Sequence, residues 1–336
     1  MTGQILWITE SAPVVLPELP DGWQITCANN NDAQQWQQPP ELLVVDLPQS
    51  QQVQDLQHRF SHCIRVLAVP DCQDELLLPF IQQYHLFCQQ PLPDESFSRL
   101  VTIASALSAL GLQATSRAQL LACSHLPLVP PLVQQLQQLL LDPDVRVDKL
   151  ADLIEQDPVL SARLLQLANS AYMGFNHETH SIQMAISRLG LSLLYGVVLA
   201  LSVADNAEGK DLLAGVRLAG HCRLVGQWLN LDQAATEQMV LCALFYQLGH
   251  TLLSTAAGDV SALTPAQAGA FMLTLWGFAA PAAKVLLAQQ DLQLCLDQPA
   301  ALGLYLARHH QPLRAPEPAL EQVLIRLGIR QHWPAS

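Results

Sequence analysis

The chain has 336 residues and a net charge of −13; half of its residues are hydrophobic and only 13% are charged. At about 150 residues per domain, this length predicts two domains that each bury a core. The hydrophobic content argues against a disordered chain. The acidic balance argues against nucleic-acid binding, which requires clustered lysine and arginine side chains.

We expect neither a membrane span nor a secreted protein. The most apolar stretch, residues 189–204, is interrupted by glycines and hydroxyl side chains, and it is shorter than the roughly 20 residues that a spanning helix needs. The first ten residues lack the basic region of a signal peptide, which predicts a cytoplasmic location. None of the 8 cysteines lies in a C-x-x-C pair, so reduced and mostly buried thiols are expected.

The charge is distributed unevenly along the chain. Residues 1–113 contain 3 arginines, no lysine and 12 acidic residues, whereas the remainder is closer to balance. Such a change in composition predicts a domain boundary. We therefore divide the chain into a first domain at 1–112, a short and weakly structured connector at 113–125, and a second domain at 126–336.

The first domain shows alternating strand and helix patterns. Five short apolar runs have the continuous hydrophobicity of strands that are buried on both faces of a parallel sheet, at 4–8, 23–27, 42–47, 64–69 and 85–88. Polar or amphipathic segments between and after them favour helices, at 32–38, 50–60, 74–84 and 95–110. This order predicts an α/β domain with a doubly wound, flavodoxin-like (βα)5 sheet, whose functional residues lie at the carboxyl ends of the strands.

Acidic residues occur at two of those strand ends. Glu10 follows the first strand and Asp46 closes the third. Here the sequence resembles the receiver domain of two-component response regulators, and the resemblance implies that Asp46 is the phosphoacceptor. It also implies a weak Mg²⁺ site at Glu10 and Asp46.

Several receiver positions carry other residue types. Thr9 stands where the first acid should be, Ala68 or Val69 where a hydroxyl residue should be, and Gln90 where a lysine should precede the proline. Phosphotransfer to an aspartate needs a well-held divalent cation and fixed positive charge. These departures favour a degenerate receiver used for docking or dimerisation, and they leave a phosphorylated Asp46 as the alternative.

The second domain has the pattern of packed amphipathic helices. Pro131 lies in the first turn of a Leu-rich helix, and Asp148 starts or caps the next one. Asp157 followed by proline predicts a helix start, as does Ser181, and Gly190 predicts a break or a close packing contact. No alternating strand pattern occurs, so we expect an all-α domain.

Two long segments, 126–174 and 181–203, closely resemble the HDOD domain, an all-helical relative of the HD phosphohydrolases. They contain an Asp-Pro, an Asn-Ser-Ala-Tyr and an Arg-Leu-Gly signature in order. The resemblance continues through 221–229, 241–253 and 270–290, and it covers roughly 118–300. A receiver-like domain joined to an HDOD domain is a known arrangement, which supports the assignment of the first domain.

HD phosphohydrolases hold metal ions with histidines and a His-Asp pair. The resemblance places His221 at the first histidine, Tyr246-Gln247 at the His-Asp pair and Gln289-Gln290 at a later His pair. An amide is a poor metal ligand beside an imidazole, and a tyrosine is normally protonated. We therefore predict no metal site and no catalytic residue, and we interpret these five residues as a vestigial pocket.

Other histidines are weaker candidates. His250 lies one turn from Tyr246 and could share its pocket, while His221 itself fits a structural histidine that is bonded to a carbonyl. His309 and His310 are adjacent on a predicted helix and therefore point in different directions. We interpret these two as a solvated surface pair.

The pattern as a whole predicts a signal-transduction protein that acts through protein–protein contacts, without a cofactor. The resemblance implies partners such as a histidine kinase, a response regulator or a cyclic-dinucleotide enzyme, and it leaves a homodimer open. Contacts near Asn169 to Tyr172 are one hypothesis. The competing hypothesis is a metal-dependent HD-type phosphohydrolase acting on a nucleotide or a cyclic dinucleotide, with His221 as a ligand.

Overall fold

The structure is a computed structural model, and it forms two compact units. The first contains residues 1–131, 252–263 and 274–278, and the second contains 132–251, 264–273 and 279–336. Within these units the structure describes residues 3–9, 19–33, 35–46, 51–60, 62–69, 83–90, 94–122, 131–142, 144–169, 178–203, 210–255, 262–278, 280–310 and 316–333.

The first unit is built on a five-stranded parallel sheet. Its strands are β1 (Gly3–Ile8), β2 (Trp23–Ala28), β3 (Leu42–Val45), β4 (Ile64–Val69) and β5 (Leu86–Gln89). They lie in the order β2-β1-β3-β4-β5, which is the flavodoxin-like order. The α/β prediction for this part of the chain is therefore confirmed.

Buried aliphatic side chains explain why these short segments form the sheet. Leu43 and Val45 on β3 are fully buried, as are Leu6 and Ile8 on β1 and Leu67 on β4. These residues belong to one hydrophobic cluster with Leu56 and Phe60, which lie in the segment between β3 and β4. Burial of β3 along its whole length is what a central parallel strand requires.

The helices of this unit are α1 (Asn30–Ala33), α2 (Gln51–Arg59), α3 (Asp94–Ala109) and α4 (Ala114–Ala122). The predicted helix at 32–38 was wrong in extent: it is a single turn, which the Asn29 side chain caps by accepting hydrogen bonds from the backbone N–H groups of Asn31 at 3.0 Å and Asp32 at 2.9 Å. The predicted helix at 74–84 lies mostly outside the described residues.

Residues 114–122, which lie within the predicted weakly structured connector, form helix α4. Leu120 and Leu121 are buried. Arg65 on β4 donates to the Leu121 carbonyl at 3.3 Å, and the His85 ring nitrogen Nε2 lies 2.9 Å from the same carbonyl. The local sequence has only a weak helical pattern. These tertiary contacts of buried side chains therefore determine the position of α4.

Hydrogen bonds to the backbone hold His85 in one neutral form. Its Nδ1 accepts the backbone N–H of Arg65 at 2.9 Å, so the proton lies on Nε2 and is donated to Leu121. Burial, reinforced by the charge of Arg65, lowers the pKa of His85 to about 3. The guanidinium of Arg65 also donates to the Gln83 carbonyl at 2.7 Å. A buried cation thus meets the carboxyl-terminal end of α4, where the helix dipole favours positive charge.

The second unit is helical, as predicted. Its helices are α5 (Pro131–Leu140), α6 (Val147–Ile154), α7 (Pro158–Ala168), α8 (Ile182–Leu189), α9 (Leu191–Val203), α10 (Lys210–Trp228), α11 (Gln233–Thr255), α12 (Pro265–Leu275), α13 (Ala280–Ala288), α14 (Leu292–Cys295), α15 (Pro299–His310) and α16 (Pro318–Arg326), followed by a 3-10 turn at Arg330–His332. Parts of α11 and α12 are grouped with the first unit.

Three helix boundaries follow the local signals in the sequence. Asp157 caps α7 by accepting from the N–H groups of the second and third following residues, and Ser181 caps α8. Gly190 ends α8 with φ of 82°, a left-handed value that favours glycine. The cap of α6 differs from the prediction: Arg146 is the N-cap residue, and Asp148 lies in the first turn and pairs with it.

No single helix among the described residues is long and apolar enough to cross a membrane. One bent pair, Ile182–Leu189 with Leu193–Ser202, meets the length and composition requirement when its halves are taken together.

Candidate functional site

The carboxyl ends of the strands bring the predicted receiver positions to one edge of the sheet. Ile8 is in register with Val45 on β3, which pairs in turn with Leu67 on β4. Asp46 follows directly after β3, and its backbone N–H donates to the Ile8 carbonyl at 3.0 Å. Gln90 lies at the same edge, because its N–H bonds to the Val69 carbonyl at 2.8 Å.

The Asp46 carboxylate is engaged by a tryptophan. Trp7 on β1 donates its indole N–H to Oδ1 of Asp46 at 2.8 Å. The Trp7 ring is buried and packs on Phe97 of α3, with the ring centroids 5.2 Å apart. Burial and the Asp46 charge together raise the pKa of Cys27 on β2. One oxygen of the predicted phosphoacceptor is therefore tied to a rigid, buried donor.

The other predicted members of this edge differ in status. Glu10 and Pro91 lie outside the described residues. Thr9 is buried, and its N–H donates to the Ala28 carbonyl at 3.1 Å. Among the described residues, no cluster of three or more His, Cys, Asp or Glu side chains could hold a metal ion.

In the helical unit, two of the predicted pocket residues meet at an arginine. Arg308 on α15 donates through Nη2 to the Tyr246 hydroxyl at 2.6 Å. Its Nη1 donates to the side-chain oxygen of Gln289, and it lies 3.5 Å from the Gln289 backbone carbonyl. The guanidinium carbon also lies 4.1 Å from the centroid of the Tyr246 ring. We call these three residues the arginine cluster.

The electrostatics of the arginine cluster are those of a buried cation among neutral oxygens. Burial lowers the pKa of Arg308, and the neighbouring Tyr246 opposes that effect; an arginine nevertheless keeps its charge near neutral pH. Burial raises the pKa of Tyr246, so its hydroxyl is protonated. Gln289 is fully buried, and its Nε2 has no hydrogen-bond partner. The cluster thus has a fixed positive charge and no anionic group.

Gln290, another member of the predicted pocket, does not join this cluster. Gln290 is exposed, and its amide bonds to the Leu287 carbonyl at 3.4 Å. Gln247 is helical, but its side chain lies outside the described residues. His250 does pack against Tyr246, with ring centroids 4.9 Å apart in an edge-on arrangement.

His221 belongs to a different group of side chains. Its Nδ1 lies 2.9 Å from the Arg217 carbonyl one turn earlier on α10, the carbonyl-bonded arrangement of a structural histidine. Its ring faces that of His310, with centroids 5.7 Å apart. In the described part of the chain, no contact joins His221 to Tyr246 or Gln289.

The prediction of a solvated His309-His310 pair was half wrong. His309 is exposed and stacks on Tyr305, whereas His310 is only 9% exposed. Adjacent helix residues diverge by about 100°, so one ring faces solvent while the other packs against Trp228 and Trp333.

Asn169 closes the loop that follows α7. Its side-chain amide donates to the Thr179 carbonyl at 2.7 Å, and its Oδ1 accepts the Thr179 N–H at 2.8 Å. Residues 170–177, which include most of the predicted contact segment, lie outside the described residues.

Sequence reasoning missed the two residues that engage the predicted sites, Arg308 and Trp7. Arg308 is 62 residues from Tyr246. The one local signal for it is its position on an otherwise apolar helix, directly before the two histidines. Trp7 reads as an ordinary core residue of β1.

Fold and sites together define a chain in which a flavodoxin-like α/β domain precedes an all-helical domain. Residues 126–268 match the family model of the HDOD domain, and this part of the chain is an HDOD domain. An uncharacterized protein from Treponema pallidum (strain Nichols) is 31% identical over 137 residues, which are 39% of this chain. The chain spans only about a quarter, 26%, of that relative's length.

Several solved structures show a distant likeness. A proposed metal-dependent phosphohydrolase from Shewanella amazonensis SB2B has 19% identity, covering 71% of this chain and 91% of its own, at a TM-score of 0.49. An HDOD domain protein from Geobacter sulfurreducens has 21% identity, with coverages of 70% and 88% and a TM-score of 0.45. The MmoQ response regulator from Methylococcus capsulatus has 23% identity, with coverages of 59% and 91% and a TM-score of 0.31. Likeness at this level carries no functional information.

Proposed function

We propose that this chain is a non-catalytic signal-transduction protein, in which the HDOD domain presents surfaces to partner proteins. The single observation that carries the proposal is the arginine cluster. Tyr246 and Gln289 occupy positions where the family resemblance expects metal ligands, and both of their oxygens accept hydrogen bonds from the Arg308 guanidinium. The positive charge in this pocket therefore belongs to the Arg308 guanidinium.

Electrostatics make such a pocket unfavourable for a catalytic metal ion. A divalent ion about 4 Å from a guanidinium would be repelled by roughly 8 kcal/mol at an effective dielectric constant of about 20. Metal-assisted hydrolysis also needs ligands that lower the pKa of a bound water. A protonated tyrosine and an amide that are already bonded to Arg308 do not supply them.

The Asp46 edge supports a receiver-like domain that works without phosphorylation. Trp7 occupies one carboxylate oxygen, and Gln90 brings no charge to offset a developing phosphoryl group. The proposal is therefore a pseudo-receiver that serves docking or dimerisation. A small phosphodonor followed by intact mass measurement tests it: we expect no added phosphoryl group, and an adduct that is lost in Asp46→Asn would contradict it.

The partner classes follow from the family resemblance. We infer a cytoplasmic protein that contacts a histidine kinase, a response regulator, a cyclic-dinucleotide enzyme or a second copy of itself. Affinity capture from the source cell, followed by reconstitution with purified components, would identify the partner. A purified complex that is lost on disruption of one domain surface would assign the contact.

The competing function is metal-dependent phosphohydrolysis, and turnover separates the two. Metal-free full-length protein should be assayed with bis(p-nitrophenyl) phosphate and with a cyclic dinucleotide, in the presence of Mn²⁺ or Ni²⁺. We expect no turnover above the metal-only control. Hydrolysis that is lost in either His221→Ala or Tyr246→Phe would overturn the non-catalytic proposal.

A further inference from the structure

A second group of side chains in the helical unit lies outside the arginine cluster and has no assigned role. It consists of His221 and Trp228 on α10, His310 at the end of α15, and His332 and Trp333 at the 3-10 turn. The His332 ring stacks face to face on Trp228, with centroids 4.3 Å apart and planes 7° apart. Trp333 meets Trp228 edge-on at 5.5 Å and His310 at 4.9 Å. We call this group the imidazole cluster.

One hydrogen bond and one buried nitrogen favour the neutral form of His310 at the centre of the imidazole cluster. Its Nε2 lies 3.1 Å from the His332 carbonyl and donates to it. Its Nδ1 is buried and has no hydrogen-bond partner. A second proton would have to be placed on this Nδ1, in a site that offers it no acceptor.

The groups around His310 disfavour a positive charge. His221 faces it from α10, and His332 faces it from the turn. In the described part of the chain, no carboxylate is hydrogen-bonded to any of these three rings. Burial is the main reason that the pKa of His310 is lowered; the hydrogen bond to His332 opposes the shift, and the charges of the two neighbouring histidines add to it.

We propose that the imidazole cluster is an acid-sensitive latch, in which protonation of His310 releases the segment 329–333 from α10 and α15. The segment is fastened to these helices by the His310 hydrogen bond and by rings stacked on Trp228. Within the carboxyl-terminal part of the chain, Arg330 of the segment donates to Glu321 at 2.9 Å and to the Trp333 carbonyl at 3.1 Å. Release therefore exposes the ring of Trp228 as an aromatic surface.

The direction of the pH effect follows from linkage. When the segment is released, His310 is solvated and binds a proton with its ordinary pKa near 6.5, which is higher than its pKa in the docked state. The released state therefore binds more protons as the pH falls below about 6.5, and docking weakens. The docked state is fully favoured above that pH. One proton shifts the equilibrium by up to about tenfold between pH 7.5 and 5.5.

Hydrogen exchange of the full chain tests the latch. Protection of the amides of His332 and Trp333, which donate to the Ile329 and Arg330 carbonyls, is measured at pH 7.5 and 5.5 and corrected for intrinsic rates. We expect up to about a tenfold loss of protection at the lower pH in the wild type and in the control His309→Gln. His310→Gln keeps a donor but cannot titrate, so its protection should not change.

Two outcomes would overturn the latch. One is equal protection of the wild type at both pH values, and the other is a full pH response in His310→Gln. If His310→Gln is undocked at both pH values, an NMR titration of histidine-labelled wild type decides instead. Protonation of His310 must then coincide with the loss of protection, and protonation without any loss contradicts the proposal.

Discussion

Gly249→Ala is the substitution whose cost the structure sets most directly. Gly249 on α11 lies against the first turns of α12, where an added Cβ would be 2.1 Å from the Pro265 carbonyl oxygen and 2.8 Å from the Gly269 nitrogen. Both neighbours are backbone atoms and cannot rotate away. Gly269 makes the reciprocal contact, because its own Cβ would lie 2.6 Å from the Phe245 carbonyl oxygen.

The magnitude follows from the missing space. A carbon and an oxygen in ordinary contact lie more than 3 Å apart, so α11 and α12 would have to separate by about 1 Å, and overpacking of this kind costs about 3 kcal/mol. Alanine recovers about 1 kcal/mol through its helix propensity. We therefore expect the free energy of unfolding to fall by about 2 kcal/mol.

Gly303→Ala is the matched control. Gly303 is also buried in a helix, but its added Cβ would meet side chains rather than backbone: the flexible thioether of Met239 at 2.5 and 2.6 Å, and Leu231 at an ordinary contact distance of 3.6 Å. That side chain can move, so the propensity gain offsets the contact and the change should stay within about 1 kcal/mol. Urea unfolding followed by circular dichroism measures both variants. Equal stabilities for Gly249→Ala and Gly303→Ala would refute the close backbone contact between α11 and α12 at Gly249.

Three further predictions concern single contacts. Arg65→Met should destabilise the α/β unit by about 2–4 kcal/mol, because buried carbonyls lose a charged donor; a change below 0.5 kcal/mol in denaturant unfolding would contradict the buried network. Asn169→Ala should cost about 1–2 kcal/mol through its two bonds to Thr179, and wild-type stability in the same assay would contradict the loop closure. Burial raises the pKa of the Cys222 thiol, so this thiol should react with a thiol reagent at pH 8 only after unfolding. The half-buried Cys27 should react before Cys222 does. Labelling followed by peptide mass spectrometry measures the order of the two.

Local signals account for the elements that were predicted correctly. Asp157-Pro158, Ser181 and Gly190 act through atoms within three or four residues, so a helix boundary can be read from the sequence there. The strands were predictable for a similar reason, since a parallel strand is apolar along its whole length.

The parts that could not be predicted depend on distant contacts. Helix α4 owes its place to the Arg65 and His85 contacts, which join residues 36 to 56 positions apart. Arg308 meets Tyr246 across 62 residues. The burial of His310 depends on which face of α15 meets α10, and periodicity alone does not decide this when most of a helix is apolar.

Calorimetric titration of the metal-free protein with Mn²⁺ measures whether the pocket of Tyr246 and Gln289 accepts a metal ion. We expect no stoichiometric micromolar binding by the wild type, because Arg308 supplies the positive charge of the pocket. Arg308→Met removes that charge, and Mn²⁺ binding by this variant is compared with binding by the wild type. Arg326→Met removes an exposed charge on α16 and serves as the control. Micromolar binding by the wild type that is lost in His221→Ala or Tyr246→Phe would show that the pocket holds a metal ion and would contradict the non-catalytic proposal.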